Sequence, residues 1–420
     1  MAAIVPTATA RMKSLALTSP LPAAPAAART DWLAVAAVFF GGLVAAQQVG
    51  KTAIALPALS ADLGLDLRSG GWVMAVFGLL GLFASMPAGA LVARLGDRSL
   101  QVAGLAAMAL GSALGSQAHS LQALLATRVL EGAGFLLFAV AGASVLQRLS
   151  KPQDRNTVFA IWSCYMPAGM ALALATGAAL DGWRGYWELN ALLCAAAAAV
   201  LWFGVRGAQT PAAPAPWRQT ARDALAVAGA RGPLLLALVF ALYALQFYAM
   251  LSFLPTLLMQ RMQVSAADAG LLSAVAVGSN VIGNLAAGAL LRRGAQRWVL
   301  IALASAAMGA SAVGAFALGL PAPWVFALCV LFSMAGGLLP ASTIGGAAQL
   351  VPSPALIAVA VGLLMQGSYL GQVIGPSLFG SVVQAAGWPA ASIPVALAAL
   401  GAIAAAFALR RSFAHEAARG

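Results

Sequence analysis

From residue 31 onward the chain is a succession of apolar runs parted by short polar gaps. A spanning helix needs about 20 mostly apolar residues. Runs of that kind lie at 32–56, 71–93, 99–117, 122–147, 157–180, 186–205, 233–258, 269–291, 298–319, 323–349, 355–383 and 388–409. They predict an all-α polytopic membrane protein. Its twelve transmembrane helices form two six-helix pseudo-symmetric halves around a central cavity. Spans 3, 6, 9 and 12 are Ala- and Leu-rich and nearly free of polar groups, as outer, lipid-facing supports would be. The remaining spans carry Gly, Pro, Gln, Asn or charge.

The polar gaps give the organisation. Residues 1–30 are rich in Ala and Pro, with no apolar core ahead of a small-residue cleavage site, and read as a disordered cytoplasmic tail rather than a cleaved signal peptide. Residues 31–205 form the N-terminal bundle and 233–409 the C-terminal bundle. Between them, 206–232 is a Pro-, Ala- and Arg-rich cytoplasmic linker, and 410–420 is a second cytoplasmic tail.

The halves repeat each other. "ALPAL" closes span 1 around Pro57, and "FLPTL" closes span 7 around Pro255. Nine residues before each proline stands a glutamine, Gln48 and Gln246. "AGALVAR" ends span 2 and "AGALLRR" ends span 8, and Tyr165 falls opposite Tyr369. Two six-span halves enter the membrane in the same sense, a parallel repeat that places a site between them.

Composition supports the bilayer. Of 420 residues, 62% are hydrophobic and 8% charged, against roughly 25% charged in soluble domains. The formal net charge of +12 raises nucleic acid as a partner. That needs a basic face on a soluble domain, whereas these cations sit in the gaps between spans. With both termini in the cytoplasm, eighteen Lys and Arg fall in inside segments, and Arg68, Arg184 and Arg261 fall outside. The acids divide evenly, so the bias lies in the cations, as the positive-inside rule requires. The expected setting is a bacterial inner membrane. Cys164, Cys194 and Cys329 lie singly in apolar runs, without metal-ligand spacing. His119 and His415 have no partners for a metal or a triad, and no phosphate loop occurs. No cofactor is expected, and the chain does not read as an enzyme or an ATP-driven pump.

Several motifs resemble those of the major facilitator superfamily. Gly89, Leu91, Arg94, Gly96 and Arg98 are similar to its loop motif between spans 2 and 3. Arg128, Glu131, Gly132 and Gly134 resemble its span 4 motif, and "GWRGYWELN" (182–190) its entry into span 6. The resemblance implies a secondary transporter, monomeric, whose loop motif gates the cytoplasmic side through Gly89, Arg94, Gly96, Asp97 and Arg98. The loop usually carries an Asp where this chain has Ala93, and Asp97 stands in for it. The glycine motif of drug antiporters is missing from span 5, and the texture is closer to the cyanate and nitroimidazole-type branch.

The chemistry concentrates in three charged residues inside spans: Lys51, Arg128 and Glu131. Such residues are costly in lipid and usually face a bundle interior. Lys51 and Arg128 each lie six residues from the outer end of their spans, roughly 9 Å deep at 1.5 Å per residue. Gln47, Gln48 and Lys51 share one helix face. In the second half Tyr243 and Gln246 share a face of span 7, and Gln366 and Tyr369 one of span 11. Two cations and one carboxylate favour an anion, held by Arg128 bidentately and by Lys51 as a point charge. Lys51, Arg128, Gln48, Gln47, Tyr243, Gln246, Tyr369 and Gln366 are therefore the expected substrate-binding residues. Glu131 is the expected carrier of the coupling proton. The leading expectation is proton-coupled uptake of a small anion by alternating access. The alternative is proton-coupled efflux of drugs or metabolites.

Overall fold

The computed structural model describes residues 29–85, 95–177, 179–180, 182–205, 217–347, 349–351 and 356–417. Most of the expected N-terminal tail, the first half of the linker, and Gly89 and Arg94 of the loop motif lie outside them.

Eleven helices among the described residues are long and apolar enough to cross a membrane. They are α1 (Trp32–Leu63), α2 (Leu67–Ser85), α3 (Asp97–Ser116), α4 (Leu121–Leu149), α5 (Thr157–Gly177), α6 (Trp183–Gly204), α7 (Arg231–Met262), α8 (Ala266–Arg292), α9 (Arg297–Ala317), α10 (Ala322–Ala347) and α12 (Ser392–Phe413). The apolar helix α11 (Ile357–Ala390) completes the twelve expected spans. A short amphipathic helix, Trp217–Ala228, lies in the linker and packs on α7 and α11.

The repeat read from the sequence is a repeat of neighbours. α1 packs on α5 and α6, and α7 packs on α11 and α12. α3 packs on α4 and α6, and α9 on α10 and α12. The large hydrophobics exposed on α3, α6, α9 and α12, among them Leu110, Leu192, Phe203, Leu303 and Leu397, suit a lipid-facing position. Across the halves α2 meets α11 and α5 meets α8.

The prolines do not end the spans as the sequence suggested. Pro57 lies inside α1 and Pro255 inside α7, and each helix continues for about two further turns. A proline costs one backbone bond, which neighbouring helices can replace. The prolines of α5 and α10 act more strongly. α5 breaks at Cys164, three residues before Pro167, and α10 breaks at Gly337, three residues before Pro340. Proline lacks the N–H that would close that turn. At the connection between α1 and α2, Asp66 caps α2 through the amide of Ser69 at 2.7 Å. Hydrogen bonding from Ser69 holds its carboxyl below the usual carboxylate range.

At the end of the bundle opposite the chain termini, the halves touch backbone to backbone. A Cβ on Gly71 of α2 would stand 2.5 Å from the carbonyl oxygen of Pro376 on α11. One on Gly380 of α11 would stand 2.4 Å from the carbonyl oxygen of Leu67. Farther along, Gly78 faces the Gln372 amide and Gly81 faces the Tyr369 ring. Toward the termini the contact passes to side chains, with Leu82 and Val140 packed near Met365.

Candidate functional site

The chain's intramembrane charges meet in one cluster inside the first half. Glu131 of α4 lies between two cations. Its Oε1 accepts from Lys51 Nζ at 2.7 Å, and its Oε2 accepts from Arg128 one turn earlier. All three side chains are at most 1% exposed. Lys51 Nζ donates also to Gln48 Oε1 at 2.7 Å and to Ser112 Oγ of α3 at 2.5 Å. The three donors of the ammonium are thereby occupied. Arg128 donates to the Gln48 carbonyl at 2.8 Å and to the Val73 carbonyl of α2 at 3.3 Å. Each cation lies 4.5 Å from a ring centroid, Lys51 over Trp187 and Arg128 over Phe77. Such contacts help to hold a desolvated cation.

Glycines on the adjoining helices permit this packing. A Cβ on Gly111 of α3 would fall 2.7 Å from Glu131 Cγ. One on Gly132 of α4 would fall 2.0 Å from the Phe77 carbonyl oxygen. A second layer extends from Gln48. Its Nε2 donates to Asn190 Oδ1 at 3.2 Å and to Cys194 Sγ at 3.1 Å on α6.

The sequence brought Lys51, Gln48, Arg128 and Glu131 together but expected them to face a watery vestibule. They face the other way. Val49 and Ala53 of α1 line the interface between the halves. Lys51 points to α3, α4 and α6, among side chains of its own bundle. Residues 49 and 51 are separated by about 200° around a helix, so one helix carries both faces. Ser112 and Asn190 were overlooked because α3 and α6 read as plain supports. The only signal was a polar residue within each run, Ser112 in one and Asn190 in the other.

The other expected residues divide. Gln47 is buried, with no hydrogen-bond partner among the described residues. Tyr243 belongs to a neutral polar ladder between α7, α8 and α10. Its hydroxyl accepts from Asn280 Nδ2 at 3.5 Å, and that amide also donates to the Ser333 carbonyl at 2.9 Å. Tyr369 lies at the interface against α2, and Gln366 is half-buried on α11. Gln246, the repeat counterpart of Gln48, is buried, donates to the Leu242 carbonyl at 3.1 Å, and leaves Oε1 without a partner. The reason is local: position 249, equivalent to Lys51, is alanine.

This difference gives a paired prediction. Gln48→Leu removes an acceptor from a buried ammonium and is expected to lower stability by about 2 kcal/mol. Gln246→Leu removes an unpaired oxygen and is expected to be neutral or stabilising. Thermal unfolding of the two purified variants in one detergent checks the contrast.

In the loop motif, Gly96 has φ 82°, a backbone that favours glycine. Asp97 beside it is fully buried and accepts from Arg148 Nε and a second guanidinium nitrogen, each at 3.0 Å. Arg98 stacks on Trp202, 4.5 Å from its ring centroid, and donates to its carbonyl. These contacts tie the start of α3 to the end of α4 and to α6.

The interface between the halves holds a neutral cleft. This narrow cleft, with free space for little more than a water molecule, is lined by Met74, Met170, Tyr248, Ser252 and Gln372 together with Val49 and Ala53. No charged side chain lines it.

Residues 38–365 match the Major Facilitator Superfamily. The Major facilitator superfamily multidrug transporter mfsC of Aspergillus fumigatus is 29% identical over 150 residues, which is 35% of this chain and 29% of that protein. The Methylenomycin A resistance protein of Bacillus subtilis is 29% identical over 163 residues, 37% of this chain and 34% of that protein. The Tetracenomycin C resistance and export protein of Streptomyces glaucescens is 30% identical over 163 residues, 38% of this chain and 30% of that protein. The chain thus spans about a third of the length of the curated relatives it matches. Among solved structures, a bacterial homolog to the human lysosomal transporter Spinster, in an inward-facing and unoccupied conformation, superposes with a TM-score of 0.69. It is 18% identical, and the match covers 92% of this chain and 95% of that one. That likeness is one of fold.

Proposed function

This chain belongs to the major facilitator superfamily and is a multi-pass membrane transporter, and we propose that it exports a small organic solute through the interface between its halves, driven by protons. The observation that carries this reading is the separation of charge from the cleft. The cluster around Glu131 lies behind α1, with the ammonium donors occupied. The cleft in front of α1 offers only neutral groups. The solute then touches the neutral side, and the charges respond from behind.

Glu131 is the coupling group in this proposal. With Glu131 ionised the cluster has a formal charge of +1. A proton on its carboxylate removes the anion shared by Lys51 and Arg128 and leaves +2. Two unpaired buried cations are far less tolerable than one. Protonation therefore loosens the contact between α1 and α4 and favours a rearranged first half. The outward direction is supported by the resistance and export roles named for two of the relatives.

A second reading, uptake of a small anion, rests on the same +1. An anion reaching Lys51 and Arg128 would neutralise the cluster without a proton change. Proteoliposomes with an imposed pH gradient separate the two. Flux of an uncharged aromatic antibiotic against the proton gradient, abolished by protonophore and by Glu131→Gln, is the expected result. Flux indifferent to both would overturn the proposal. Inward accumulation of radiolabelled cyanate or benzoate would support the second reading.

A further inference from the structure

Between Asp268 and Glu416 the sequence holds five arginines and not one Asp, Glu or Lys. All five sit at the end of the bundle that carries the chain termini. Arg292, Arg293 and Arg297 lie where α8 passes to α9, and Arg410 and Arg411 lie in the last turn of α12. The same end of the first half is balanced differently, with Arg148 paired to Asp97 and Lys151 to Asp154. The side chains of Arg292, Arg293, Arg410 and Arg411 are exposed, with no ion pair or hydrogen bond among the described residues.

Two contacts bring these segments to one corner. Arg410 lies over the ring of Trp298 on α9, 5.4 Å from its centroid, and that ring meets Phe407 of α12 at 5.4 Å. The Arg297 stem and the Phe413 ring both lie against Gly346 of α10, 3.5 and 3.1 Å from a Cβ placed there. Arg297 serves the fold, donating to Gln349 and to the Ala341 and Ser342 carbonyls. The other four guanidiniums keep their donors for a ligand.

The corner continues into lipid-facing surface. Leu400 and Phe407 of α12 are exposed, as is Leu303 of the packed neighbour α9. Leu400 and Phe407 are seven residues apart and share a face, and Arg411 stands one turn beyond Phe407 on it. An apolar stripe thus ends in aromatic rings and then in uncompensated cations. A phospholipid has the same order, from acyl chain through glycerol to phosphate. Tryptophan favours the glycerol level of a bilayer, and guanidinium forks match phosphate oxygens. A soluble polyanion would use the cations and leave the stripe unused.

We infer that this corner between α9 and α12 binds the headgroup of an anionic phospholipid, with Arg410, Arg411, Arg292 and Arg293 around the phosphate and Trp298 above the glycerol. The lipid supplies the negative charge that this stretch of sequence lacks. The inference is independent of which solute the carrier moves and in which direction.

The test is lipid titration of the purified full-length protein in neutral detergent, read by native mass spectrometry and thermal shift. The probes are phosphatidylglycerol, phosphatidylcholine and inorganic phosphate. Phosphatidylglycerol is expected to bind at least tenfold tighter than phosphatidylcholine and to raise the unfolding midpoint. Each arginine near an anionic headgroup contributes about a fivefold factor. Arg410→Gln with Arg411→Gln is therefore expected to weaken phosphatidylglycerol at least tenfold and to leave phosphatidylcholine unchanged. Trp298→Leu is expected to weaken it about two- to fivefold. Arg68→Gln with Arg261→Gln removes the same charge from exposed positions elsewhere on the chain and should leave binding as in the wild type. Equal binding of the two lipids, wild-type binding by the Arg410/Arg411 variant, or an equal loss in the control overturns the inference. Inorganic phosphate that displaces phosphatidylglycerol and reproduces its stabilisation assigns the cluster to a free anion and also overturns it. One measurement needs no variant: raised salt should weaken phosphatidylglycerol on the wild-type protein, and binding that ignores salt counts against the site.

Discussion

Glu131→Gln is expected to be the most damaging single change in the chain. The carboxylate is shared by two cations that are at most 1% exposed. A neutral amide in its place cannot carry the charge, and the first half is left with +2 in a dry bundle. Breaking a buried pair by removing one partner typically costs about 3–5 kcal/mol, and here one removal breaks two pairs. The expected results are a sharply lowered unfolding midpoint in detergent and no pH-driven flux. Adding Lys51→Met to Glu131→Gln tests the cause. The double variant returns to the native +1, and most of the lost stability should come back. If Glu131→Gln alone unfolds at the wild-type temperature, the cluster is not held by its charges.

The second large effect is expected at a glycine. Gly71→Ala puts a methyl group 2.5 Å from the Pro376 carbonyl oxygen, a backbone atom that cannot rotate away. The packed contact between α2 and α11 must open. Because this contact joins the two halves, each half should still fold. The expected phenotype is therefore near-native unfolding with turnover reduced at least tenfold. A thiol reagent added from that end should label Ser252→Cys, beside the cleft, in the Gly71→Ala background more readily than without it. Gly132→Ala is the control. Its methyl would meet the Phe77 carbonyl within the first half at 2.0 Å, and it should destabilise rather than trap. Full activity in Gly71→Ala would show that the closed contact is not part of the cycle.

Much of this architecture was legible before any coordinates. Apolar runs placed the spans, because a bilayer demands about 20 apolar residues per crossing. The paired prolines and glutamines, Pro57 with Pro255 and Gln48 with Gln246, gave the repeat. The face shared by Gln48 and Lys51 was right as a property of one helix. What that face meets was not legible. α1 is apolar nearly all round, so its own pattern does not fix its rotation against its neighbours. The answer depended on Ser112 and Asn190, polar residues of α3 and α6 whose importance appears only when three helices are brought together. The ends of α1 and α7 were misjudged for a related reason. Proline stops an isolated helix more effectively than one supported by neighbours. The neutral cleft was hardest to see, since Met74, Met170, Tyr248 and Gln372 come to it from four different helices.

One property of the buried cluster reaches beyond its chemistry. Its excess positive charge belongs to one half alone, since position 249 in the other is alanine. Any movement of the first half relative to the bilayer carries that charge through the transmembrane field. A full crossing by one elementary charge is worth about 2.3 kcal/mol per 100 mV, and a partial displacement takes a proportionate share. Membrane voltage therefore biases the two orientations unequally, so the resting state of the carrier in an energised cell differs from its resting state in a detergent micelle.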